Sequence, residues 1–184
     1  MTRNSLLVAG VGAAFVLAAS PSLAQNADKA SQSFIKTAIQ HNYAEIDVGK
    51  LASEKGKSAE VKQYGERMVK DHSDANQKAI AAAKQMGIDP PTSADMMHKG
   101  TYLKLKVLSG DSFDKSFAKG MVSDHQNDVK KFQQESSKND PAGQFAKETL
   151  PTLQEHLQMA QQLNRTVNGT TGSGSRSANS RNKR

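Results

Sequence analysis

From Asp28 to Val167 the apolar residues return every third or fourth position, and strand-like alternation is almost absent. A chain patterned this way buries its apolar surface by packing helix against helix. Four long segments carry the pattern, at 28–55, 58–86, 112–137 and 141–166. Gly56 separates the first two, and Ser58 is placed to cap the second. Ser109-Gly110-Asp111 leads into the third, and Asp140 and Pro141 supply an N-cap and a first helical residue for the fourth. Pro151 falls inside the fourth segment and predicts a kink. The connection between the second and third segments is long; it opens with the helix stop GIDPP and then offers MMHKGTYLKLKVL as a short extra helix. Two tight hairpins joined by a long crossover make an all-α, ferritin-like four-helix bundle, with an up-down bundle and a plain long loop as the alternative.

The two ends read differently. Arg3, the apolar run from Ser5 to Ala19 and Ser22-Leu23-Ala24 have the layout of a secretory signal peptide over 1–24. The bundle domain is then 25–167, and no membrane span remains after the signal is removed. The end, 168–184, is rich in Gly, Ser, Asn and Thr, and is expected to be a disordered basic tail with at most weak envelope contact. Export places the protein in the periplasm or outside the cell. The chain has no cysteine, which excludes zinc fingers, thiol catalysis and thiolate metal sites. Its net charge of +7 is concentrated at the ends: without Arg3 and the four basic residues of the tail, 20 basic face 18 acidic side chains. The body is nearly neutral, and nucleic-acid binding is not indicated.

The segment MVKDH at 68–72 returns as MVSDH at 121–125. On a helical wheel, His72 and His125 lie at the centre of the apolar faces of the second and third segments, and His41 and His156 do so in the first and fourth. Glu45 sits one turn after His41, and Asp128 lies beside His125. His41 and His72 are 31 residues apart, as are His125 and His156, and each pair is centred on its hairpin turn. Each pair therefore stands about 23 Å from its turn at 1.5 Å per residue. With the two turns at opposite ends of the bundle, four imidazoles and the Glu45 carboxylate meet near its middle.

Buried polar groups are costly unless satisfied, and a transition metal (zinc, copper, iron or manganese) satisfies several imidazoles at once. The candidate metal ligands are His41, Glu45, His72, His125 and His156, and the alternative is a metal-free, hydrogen-bonded polar layer in a structural or stress-related envelope protein. Asp71 and Asp124 fall at the stripe edges, suited to supporting or surface roles. Met68 and Met121 fill core or offer thioether sulfur, and His98 in the crossover is expected to be exposed and without a partner. No phosphate loop, nucleophile motif or paired catalytic acid is present, so no catalytic residue is indicated.

The segments FIKTAIQHNYAEIDVGKLASEK, VKQYGERMVKDHSDAN, LSGDSFDKSFAKGMVSDHQNDVKKF and LPTLQEHLQMAQQL resemble the bacterial exported family called domain of unknown function 4142. The resemblance runs from Ser33 to Leu163 and implies a ferritin-like fold and an envelope location, the family often being labelled a putative outer-membrane protein. It implies no reaction. The ferritin di-iron pattern is missing, because Val69, Val122 and Leu153 stand where a Glu-x-x-His motif requires glutamate.

Overall fold

The structure is a computed structural model and describes residues 29–169. The signal segment and nearly all of the tail read from the sequence lie outside them. Five helices follow one another: α1 Lys29–Lys55, α2 Ala59–Gln85, α3 Met96–Lys106, α4 Gly110–Glu135 and α5 Pro141–Gly169. The crossover carries α3 and is not a plain loop, and α2 packs against α5, the ferritin-like order of two hairpins joined by a long crossover. The long helices match the expected spans closely, although α4 starts and stops two residues early and α5 runs to Gly169. Pro151 is accommodated inside a continuous α5, where its missing N–H removes one helical hydrogen bond.

The helix starts follow local chemistry. Ser58 accepts from the Val61 N–H at 3.3 Å and Asp140 from the Gly143 N–H at 2.7 Å, each satisfying an orphan donor of the first turn. Just past the end of α2, Gly87 has a φ of 69°, which favours glycine, and the Ile88 N–H returns to the Ala83 carbonyl at 2.9 Å. Across the bundle, Asp114 of α4 accepts from the backbone N–H groups of Lys57 and Ser58, both at 2.9 Å, and so fastens the α1–α2 turn to the second hairpin.

α1 packs along α2, α4 along α5, and α2 against α5. Gly49 and Gly65 set the closeness of the first hairpin. A Cβ on Gly49 would lie 2.9 Å from the Gly65 carbonyl oxygen, and one on Gly65 would lie 2.6 Å from that of Gly49. The core divides in two. Toward the α1–α2 turn, Leu51, Val61, Met68, Phe113, Phe117 and Leu163 pack together; toward the α4–α5 turn, Ile35, Ile39, Ala79, Phe132, Phe145 and Leu153 do so. On every long helix the inward histidine falls between the stretch given to one cluster and the stretch given to the other. Met68 and Met121 belong to the first cluster, in keeping with core filling.

Candidate metal centre

His72, His125 and His156 meet between the two apolar clusters, one each from α2, α4 and α5, and all are buried. Their ring centroids are 5.7, 5.3 and 5.4 Å apart, a nearly regular triangle. One ring nitrogen from each lies within 4.8 Å of the other two. Donors around a tetrahedral zinc stand about 3.3 Å apart, given Zn–N bonds near 2.05 Å.

Each ring bonds through one of its two nitrogens. Nδ1–H of His72 donates to Asn42 Oδ1 at 2.9 Å, Nδ1–H of His125 to the Met121 carbonyl at 2.9 Å, and Nε2–H of His156 to Asp71 Oδ2 at 2.9 Å. Every partner is an acceptor, so each bonded nitrogen carries the hydrogen. The second nitrogen of each ring is left over: His72 Nε2, His125 Nε2 and His156 Nδ1 are buried with no hydrogen-bond partner. This outer set of carbonyl and carboxylate acceptors is the arrangement that fixes tautomer and orientation in metal-bound histidines. Burial drives the pKa of His72 well below the ordinary histidine value, and drives that of His156 down despite the opposing Asp71. Both are neutral at pH 7, the form a metal requires.

His41, expected with the others, is the one that turns aside. Its Nδ1 lies 2.8 Å from Asp128 and its Nε2 3.2 Å from Glu45, so both nitrogens are engaged by carboxylates. Burial opposes charge on this ring, but Asp128 and Glu45 outweigh it, and the pKa stands well above the ordinary value. Glu45 answers in kind. Burial works against its ionisation, yet the hydrogen bond and the charge of His41 hold its pKa down to about 2. Its second oxygen, Oε2, is buried and without a partner. The layer thus places three imidazoles beside a carboxylate that is held anionic by His41.

His98 departs from expectation. It is not a solitary exposed residue: its ring lies 4.8 Å from that of His41, tilted by 36°, and its Nδ1 lies 2.8 Å from Asp95. The crossover folds back over α1 and brings it there. Asp71 supports His156 and is also bonded by Arg67, whereas burial, with Glu45 nearby, pushes the Asp124 pKa up. Asn42 and the contact of Asp128 with His41 were missed by the sequence reading. Asn42 could have been found, since it and His72 stand equally far from the α1–α2 turn. A cleft of about 380 Å³ between α1 and α4 is lined by Phe34, Ala38, Phe132 and Leu153 and reaches His41, Asn42 and His72, opening a path from the surface to the layer.

The sequence matches the family model described as Domain of unknown function (DUF4142) over residues 17–163. No curated protein matches it. Among solved structures, a crystal structure of a DUF305 fragment from Deinococcus radiodurans superposes with a TM-score of 0.63 at 16% identity, covering 79% of this chain and 97% of that one. At that identity the likeness speaks for the helical fold alone.

Proposed function

The chain belongs to the DUF4142 family, and we propose that in it this exported bundle binds one transition-metal ion through His72, His125 and His156. Glu45 supplies the anionic group beside them, and His41 holds Glu45 in place. The observation that carries this reading is a buried histidine triad with ring nitrogens within 4.8 Å of one another, in which each ring keeps one nitrogen without a partner. Lone pairs on such nitrogens cannot hydrogen-bond to each other, and a single water has only two hydrogens to offer the three of them. A cation satisfies all three, and the negative charge of Glu45 offsets part of the cost of bringing it into the core. Imidazole donors suit zinc, copper, iron and nickel, whereas magnesium and calcium prefer oxygen. Bound there, the metal would supply a Lewis-acidic or redox centre at the inner end of the α1–α4 cleft.

The competing reading, a metal-free polar layer, accounts for His41, Asp128 and Glu45, which complete one another. It leaves the three unpartnered nitrogens unexplained. Elemental analysis of tag-free protein, followed by titration of the chelated protein with Zn²⁺ and Cu²⁺, tests the proposal. One equivalent bound by the parent and none by His125→Ala is expected. A parent that takes up neither ion while remaining helical would sink it.

A further inference from the structure

The crossover helix carries a feature unrelated to the metal. α3 buries only Leu105. On the opposite side, Met96, Leu103 and Val107 are 81%, 59% and 83% exposed, with Met97 beside them at 74%. Among the described residues, these four are all of the exposed large apolar side chains. Met96, Leu103 and Val107, separated by seven residues and then four, fall within about 40° of one direction on a helix that turns 100° per residue. Lys99 and Lys106 flank this stripe on one side and Lys104 on the other, all exposed. No acidic residue lies between Met96 and Leu108. The nearest acid, Asp95, caps the helix through the His98 N–H and also holds the His98 ring.

We propose that α3 is a docking face for an anionic lipid surface. An apolar stripe rimmed by lysines suits a helix lying in a membrane interface, with its apolar side chains at the acyl boundary and its ammonium groups among acidic headgroups. In this reading α3 lies on such a surface, and no helix of the described residues is long and apolar enough to span a membrane. A second copy fits less well, because two such faces set lysines against lysines.

The chain contains no tryptophan, so Leu103→Trp in the full chain gives a single reporter on this face. Vesicles of phosphatidylcholine mixed with phosphatidylglycerol should shift its emission to the blue, and vesicles of phosphatidylcholine alone should not. Adding Lys99→Gln and Lys104→Gln should weaken the anionic-vesicle response roughly thirtyfold, at about 1 kcal/mol per lysine near a charged surface. Three results overturn the proposal. They are no shift with a folded reporter, co-sedimentation with vesicles while the emission stays unchanged (which assigns the contact to another part of the chain), and a blue shift without lipid that grows with protein concentration (which assigns the face to self-association).

Discussion

Glu45→Gln should make the stability of the metal-free protein report on the His41–Glu45 pair. The Glu45 pKa falls from 4.5 to about 2 on folding, a change worth about 3 kcal/mol at about 1.4 kcal/mol per unit. The sign follows from the direction. A carboxylate with a depressed folded pKa contributes stability that is present above its unfolded value and is lost as pH falls through the folded one. His41 limits the other side, because its raised pKa means that the supporting charge disappears as pH rises through that folded value. The difference in unfolding free energy between parent and Glu45→Gln, measured by urea titration under chelator, should therefore be bell-shaped in pH. It should reach about 3 kcal/mol between the two limits and shrink toward pH 2 as Glu45 protonates. The glutamine side chain is isosteric, so a difference that does not vary with pH would mean that the charges of the pair do not set it. A mutant equal to the parent near neutrality would show that the ion pair does not offset its own burial.

Other expectations bear on the layer and on the scaffold. His72→Gln in the metal-free protein should reduce acid sensitivity below about pH 6.5, since the depressed pKa of His72 means that the unfolded chain takes up the proton first; superimposable pH–stability curves for the two proteins would remove His72 from the buried layer. Zn²⁺ at about 100 times its dissociation constant should raise the unfolding free energy by roughly 2.7 kcal/mol, and a melting temperature unmoved by metal or chelator would contradict binding. Asn42→Ala removes the acceptor of His72 Nδ1 and should weaken metal affinity by about 10–100-fold in a competition titration, leaving the helical circular dichroism intact. Gly65→Ala should cost about 1–3 kcal/mol in urea unfolding, because its Cβ meets the backbone of α1; a neutral result would mean that the hairpin separates freely at that crossing.

The helices were legible because the apolar spacing, Ser58, Asp140 and Pro141 all point to the same boundaries. The level of the histidines was legible for a similar reason, since antiparallel pairing makes distance from the turn a measure of height. What the sequence could not supply was rotation and reach. Wheel positions placed His41 on the inner face, but Asp128 from α4 lies close enough to draw its ring to the side. Such a contact depends on how two non-adjacent helices are spaced, and no local pattern encodes it. The same holds for His98, whose place over His41 follows from the path of a crossover of low periodicity.

The division of the core by a polar layer also bears on alignment along the helix axes. Alanines are frequent in the cluster toward the α4–α5 turn, and small side chains of one size let a helix slide past its neighbour by a turn, about 5.4 Å, with little loss of apolar contact. The histidines do not permit that slide. Moving α2 one turn against α1 would take His72 from Asn42 and set an imidazole among aliphatic side chains, at about 1–3 kcal/mol for each polar atom left unpaired. The layer therefore works as a key that fixes the register of the hairpins, as single buried polar positions do in coiled coils.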